Sequence, residues 1–181
     1  PEEAIFNLDF YCHTGPLARS VKDTIRLQNV MCGPSPKDIA SLRPKLVLPY
    51  EYKPIKDWKI AYSPNLGCFE VDPEVEKNTL ASLEVFKSLG ATVEEVDLGW
   101  GPETLEAGLA YLGHIFGAAM QDELEQHADK LTTYAREFAE ESLKSTPRDF
   151  LNSLDIAYQM YSTLGPILEE YNVLICPTTA I

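Results

Sequence analysis

The stretch from Lys59 to Leu98 constrains the fold most, because two β-rich runs bracket one strongly marked helix within 40 residues. KIAYS, Lys59 to Ser63, and TVEEVDL, Thr92 to Leu98, have the short apolar and β-branched character of strands. Between them Asp72 stands where an N-cap should, Pro73 takes the first helical position, and Glu74 and Glu76 put negative charge at the positive end of the helix dipole. Gly90 closes the helix after Leu89. Val75, Thr79, Leu83 and Phe86, joined by Leu80, recur at helical spacing and make the face expected to pack on a sheet. Strand 59–63, helix 73–89 and strand 92–98 in that order mean a parallel pair with a right-handed crossover. The fold class is α/β.

The rest of the chain is read around that unit. IFNLDFY, Ile5 to Tyr11, suggests a short strand or extended entry into the turn at Gly15 and Pro16. A helix follows from Val21 to Cys32, capped by Ser20, with Asp23 placed to reach back to the Ser20 amide as a capping box. Its apolar residues Val21, Ile25, Leu27, Val30 and Met31 spread widely, so much of its circumference should be buried. Prolines 34, 36, 44, 49 and 54 mark an extended connector, with a turn of helix at Lys37 to Ser41 as an option. After Leu98 the chain reads as helical: an apolar, glycine-containing segment from Glu103 to Met120, a charged one from Gln121 to Lys144, and a helix capped by Thr146 with Pro147 first, reaching Glu170. VLICP, Val173 to Pro177, reads as a buried parallel strand.

Charge narrows the partners. The formal net charge is −13, with residues 1–58 at +1, 59–100 at −5 and 101–181 at −9. A phosphate backbone needs a basic stripe, so nucleic acid is not expected, and neither is a membrane surface. The acidic third reads as a solvated helix face. Cys12, Cys32, Cys68 and Cys176 are widely spaced and fit reduced, buried thiols rather than a zinc site or a redox dithiol. Without a signal peptide, an apolar run of about 20 residues or a lipidation motif, the default location is cytoplasmic. The chain opens on Pro1 rather than Met, so its true start is left open.

Four stretches in register then suggest a family. GPLARSVKD (Gly15 to Asp23) with GPSPKD (Gly33 to Asp38), KIAYSPNLGCFEVDPEVE (Lys59 to Glu76), SLGATVEEVDL (Ser88 to Leu98) and VLICPTTAI (Val173 to Ile181) resemble segments of the amidase signature family, serine hydrolases that cleave amide bonds. The resemblance implies part of an α/β/α sandwich around a mixed sheet, here ending in a helical half and a buried strand. It also implies catalysis by a Ser nucleophile, a second Ser joined by a cis peptide, and a Lys as ultimate base, with backbone amides holding the oxyanion. In that family GPLARSVKD lies downstream of the nucleophile. None of the ten serines here stands in a Gly-Ser-Ser or GxSxG setting, so none of the three catalytic residues can be carried onto a position of this chain.

Individual constellations add little chemistry. Cys12 and His13 are adjacent, and neighbours on a strand point to opposite faces, so they do not form a nucleophile and base. Glu123 and His127 have metal-ligand spacing on a helix, but two ligands make a poor site, and a solvated pair is the expectation. No metal and no organic cofactor is expected. His114, in an apolar stretch, reads as a satisfied core histidine. The doublets Glu94/Glu95, Glu140/Glu141 and Glu169/Glu170 read as surface, and Arg19, near Asp23, reads as structural. Thr178 and Thr179 either satisfy loop backbone or, as the resemblance implies, line the amide pocket.

The leading expectation is thus one domain spanning 1–181, an internal fragment of a larger amidase domain, inactive alone. Its partners would be the remaining half of the fold and a small-molecule amide substrate, with a homo-oligomer left open. Two readings stand beside it: a non-catalytic acidic α/β interaction domain, and a glutamine amidotransferase A-type subunit.

Overall fold

The computed structural model describes residues 11, 13–38 and 41–181. The expected strand at Ile5 to Tyr11 lies almost wholly outside them, as do Cys12 and part of the optional turn at Lys37 to Ser41. The chain divides into two compact units, Pro1–Lys53 and Pro54–Ile181.

In the first unit, α1 (Val21–Met31) starts where the cap signal places it. The Ser20 hydroxyl oxygen accepts the Asp23 amide at 3.2 Å and donates its own proton to the Asp23 carboxylate at 2.8 Å. The carboxylate therefore binds the Ser20 hydroxyl, where a reach to the amide was expected, and its cation is Arg26, at 3.3 Å, one turn along the helix. The proline-rich connector is tied back to this helix by one side chain. Asn29 donates to the Leu48 carbonyl at 2.9 Å and accepts the Leu48 amide at 2.8 Å, matching both polar groups of that residue as a neighbouring strand would. The expected burial of most of the α1 circumference does not occur: Ile25 is buried, whereas Val21 and Val30 are 73% and 79% exposed. Among the described residues, the first unit covers one stripe of this helix.

The second unit is built on a sheet of order β2–β1–β3, with β1 (Lys59–Tyr62) in the centre, β2 (Thr92–Glu95) on one side and β3 (Val173–Ile175) on the other. All pairs are parallel, with Ile60 opposite both Val93 and Val173. Ile60, Ala61 and Tyr62 are buried on the central strand, which has a neighbour on each edge. Two prolines end the ladder. Val96 donates to Tyr62 and Ser63 donates to Ile175 (2.9 and 3.0 Å), and the next ladder donors would be Pro64 and Pro177, which have no N–H. For this reason β2 stops at Glu95, short of the expected Leu98, and β3 stops before Cys176. As an edge strand β3 is half-buried, not fully buried as its apolar run suggests.

Between β1 and β2, α2 (Pro73–Ser88) is capped by Asp72, whose carboxylate accepts the Glu74 amide at 2.7 Å. Val75, Thr79, Leu83 and Phe86 form its inward face; burying Leu83 stabilises by about 2 kcal/mol. Leu80, grouped with that face by sequence, is 46% exposed, since one residue beyond Thr79 rotates it by roughly 100° off the stripe. From β2 the chain runs through α3 (Glu103–Leu112), a π-helical turn at Gly113–Gly117, α4 (Gln121–His127), a 3₁₀ turn, α5 (Thr133–Ser142) and α6 (Pro147–Glu170). α3 packs along α6, and α5 on the π-helical turn, where Gly117 lets Ser142 approach closely. The 103–120 segment is less buried than its composition suggests: Ala107, Gly113 and Gly117 are inside, while Leu105 and Leu109 are about half exposed. α6 has the full capping box, Asp149 amide to Thr146 hydroxyl and Thr146 amide to Asp149 carboxylate.

The end of α6 is fastened to β1. Asn172 brackets Lys59, accepting its amide at 2.9 Å and donating to its carbonyl at 2.8 Å. Lys59 pairs with Glu170 at 2.7 Å and lies over the Tyr171 ring, whose hydroxyl donates to Glu94 at 2.7 Å. The Glu170 bond raises the Lys59 pKa above its ordinary 10.5, and the Glu94 bond raises that of Tyr171 above 10.0. Both groups are held in the protonated form by the fold. Their contribution is complete below those ordinary values and is lost as pH rises through the raised ones. The gap in melting temperature between the wild type and Tyr171→Phe should therefore be full at neutral pH and close as the pH rises past 10.0.

Gly67 gives a second prediction. It sits at φ +86°, and a Cβ there would overlap the Trp100 carbonyl oxygen, which is backbone and cannot step aside. Gly67→Ala should lower unfolding free energy by about 1–3 kcal/mol. Gly108→Ala, mid-helix with open space around the new methyl, should be neutral or stabilise by up to about 1 kcal/mol. Denaturant midpoints that fall equally for the two variants would refute the assignment.

Candidate functional site

An open parallel sheet presents its ligand-binding crevice beyond the carboxyl ends of its strands. Here that edge is created by Pro64 and Pro177: both neighbours of β1 lose the ladder at the same level, and the chain leaves as two loops, 64–72 toward α2 and 176–181 after β3. The loops are joined to each other, since the Asp72 amide donates to the Ala180 carbonyl at 2.7 Å. The helix-capping residue of α2 thereby also positions the segment carrying Thr178 and Thr179.

Both threonines are exposed at this edge. The Thr179 hydroxyl donates to the Ile181 carbonyl at 2.8 Å, so one of the two hydroxyls satisfies loop backbone. The strand ends and loops of this edge also carry Ser63, buried directly after β1, and the half-buried thiols of Cys68 and Cys176. Burial pushes the Cys176 thiol up, and burial with the nearby Glu103 charge pushes Cys68 up. Both are neutral thiols at pH 7 rather than nucleophiles. The edge can therefore bind and orient through hydroxyls and backbone groups, while its thiols are unsuited to attack.

Tyr62 is the residue at this edge that sequence reasoning passed over. It is the last residue of β1, buried, and its hydroxyl has no hydrogen-bond partner among the described residues. Desolvation, followed by the charges of Glu76 and Glu95, raises its pKa, so it is a neutral phenol. Strand alternation puts it on the Ile60 face, a signal available in KIAYS, but the missing partner is a tertiary fact.

The other sequence candidates are dispersed. His114 lies in the π-helical turn, stacked on Phe150 at 5.0 Å and hydrogen-bonded through Nδ1 to Ser145 Oγ at 2.9 Å, as a satisfied interior histidine should be. Glu123 and His127 are exposed on α4, with Lys130 Nζ 3.5 Å from the His127 ring. Among the described residues no three or more His, Cys, Asp or Glu side chains are grouped to hold a metal ion. Arg19 and His13 are exposed, and Cys12 lies outside the described residues. The glutamate doublets are at the surface, Glu94 with Tyr171 and Glu170 with Lys59. Among the described residues, no helix is long and apolar enough to cross a membrane.

Comparison with known proteins agrees with this architecture. An acylamidase of Rhodococcus erythropolis is 29% identical over 174 residues, 94% of this chain and 36% of its own length. An amidase of Pseudomonas putida is 26% identical over 93% of this chain and 37% of its own length. The A-type subunit of the glutamyl-tRNA(Gln) amidotransferase of Streptococcus pyogenes is 40% identical over 87 residues, 46% of this chain and 18% of its own. The crystal structure of a bacterial aryl acylamidase of the amidase signature family superposes with a TM-score of 0.81 at 24% identity, over 92% of this chain and 36% of that one. The corresponding amidotransferase subunit of Thermotoga maritima superposes with a TM-score of 0.58 at 16% identity, over 87% of this chain and 35% of that one. This chain thus spans little more than a third of the two amidases that it matches along nearly its whole length. The family model described as Amidase matches residues 10–181, and the chain belongs to the amidase family.

Proposed function

We propose that these residues are the later part of an amidase-signature domain that hydrolyses amide carbon–nitrogen bonds, and that the loop after β3 lines its amide pocket. The observation that carries this reading is the family match over residues 10–181. It is supported by the position of Thr178 and Thr179 at the carboxyl edge of a parallel sheet, on a loop fixed to the α2 cap.

In this reading the nucleophilic Ser, the bridging cis-Ser and the Lys base are supplied by chain outside these residues. An activated hydroxyl attacks the amide carbonyl, the amine leaves, and water releases the acyl group from the enzyme. The present residues contribute the sheet edge, the Thr178 hydroxyl as a donor to substrate, and a neutral surrounding that does not compete for the acyl group. The partner of this chain is then the remainder of the fold, in one cytoplasmic polypeptide. Most of the α1 circumference, exposed here, is surface that this remainder would cover.

A second reading has its own support in the 40% identity to the amidotransferase. There the same chemistry acts on glutamine, and the released ammonia is passed to another site.

The test is kinetic. The longer polypeptide should hydrolyse simple amides, and residues 1–181 alone should not. Thr178→Val should raise KM by about three- to tenfold, the worth of one hydrogen bond, with a smaller effect on kcat. Turnover by residues 1–181 alone would overturn the division of labour, and an unchanged KM would remove Thr178 from the pocket. Glutamine as the preferred substrate, with ammonia released, would select the amidotransferase reading.

A further inference from the structure

Away from the sheet edge, α3, α5 and the start of α6 enclose an open cleft of about 560 Å³, within the size range of small-molecule sites. Its walls are largely apolar. Leu109 comes from α3 and the stacked pair Tyr134 and Phe138 from α5, their rings 6.4 Å apart and 13° from parallel. Tyr134 is 79% exposed among the described residues, and its ring forms an open shelf on the cleft.

The polar groups of the cleft are unbalanced in charge. Lys144 is the one cation among the lining residues, and it is already paired with Glu141. Glu137 and Asp149 also line the cleft and make no ion pair among the described residues. Asp149 keeps its charge because the Thr146 amide and hydroxyl both donate to it, which holds its carboxyl below the usual range. Ser145 adds a neutral acceptor: when its hydroxyl donates to His114 Nδ1, the oxygen lone pairs are left for a ligand.

We propose that this cleft is a second binding site, for a small aromatic ammonium compound. The ring of the ligand lies against Tyr134, Phe138 and Leu109. Its ammonium group is drawn to Glu137 and Asp149, with Ser145 Oγ as a further acceptor, and the Tyr134 face adds cation–π attraction. An anion of the same shape is excluded by the two unpaired carboxylates. Sequence reading treats this region as a solvated acidic surface; what distinguishes it is that two of its carboxylates sit on the rim of an apolar hollow. The site does not depend on the proposed hydrolysis, although hydrolysis of an N-(arylalkyl) amide would release a compound of this class.

Titration of the full natural polypeptide with 2-phenylethylammonium, followed by calorimetry, tests the proposal. Saturable binding is expected for this probe and none for 3-phenylpropionate. Tyr134→Ala and Glu137→Gln, both at exposed positions, should each weaken binding roughly threefold, and together roughly tenfold, without changing the melting temperature. No saturation, equal binding of the carboxylate probe, or unchanged affinity in the double variant would overturn the site. Amide hydrolysis is measured on the same samples, so that its absence beside intact amine binding counts against the proposed function alone.

Discussion

The backbone ladder of β1 is the interaction on which the second unit depends. Four residues of one strand take hydrogen bonds from both sides, and the partners come from β2, one helix away in sequence, and from β3, more than a hundred residues away. Because the pairing is parallel, each neighbour must be delivered by a crossover, and the α2 and α3–α6 segments exist in that sense to bring β2 and β3 back in the same direction. α2 packs against β2, and burial is concentrated in the central strand β1.

The same ladder fixes the edge at which the proposed pocket would lie. Pro64 and Pro177 end it at one level on the two sides of β1, so loops rather than strands occupy the space beyond. The Asp72 to Ala180 bond then ties those loops together. A hydroxyl on the 176–181 loop is thereby referenced to the α2 N-terminus and to the sheet at once. That is firmer placement than a loop residue ordinarily has.

Local signals in the sequence were accurate because their partners are local. Asp72 with Pro73, Thr146 with Pro147 and the stop at Glu170 depend on groups within a turn of one another, and the boundaries of α2 and α6 follow from them. Burial was less readable. Val21, Val30, Leu80 and Leu105 are apolar at helical positions, but what covers such a residue is decided by distant chain or by chain not among these residues. The Asn29 bridge to Leu48, the orphaned Tyr62 hydroxyl and the cleft between α3, α5 and α6 are likewise tertiary. For the candidate site, Thr178 and Thr179 were readable only through family resemblance, and Pro64 and Pro177 acquire meaning only from the strand register, Pro177 having been read as part of the last strand.

The span between β1 and β3 also orders events in time. The β1–α2–β2 unit closes a short loop and can form early, whereas β3 must wait for a long loop closure whose entropy is repaid only when Asn172 brackets Lys59. Until then one edge of β1 is an unpaired parallel template rich in buried apolar groups. A nascent or nicked chain that lacks β3 would expose an edge of β1, the most buried strand of the sheet, to strand-to-strand pairing with other chains.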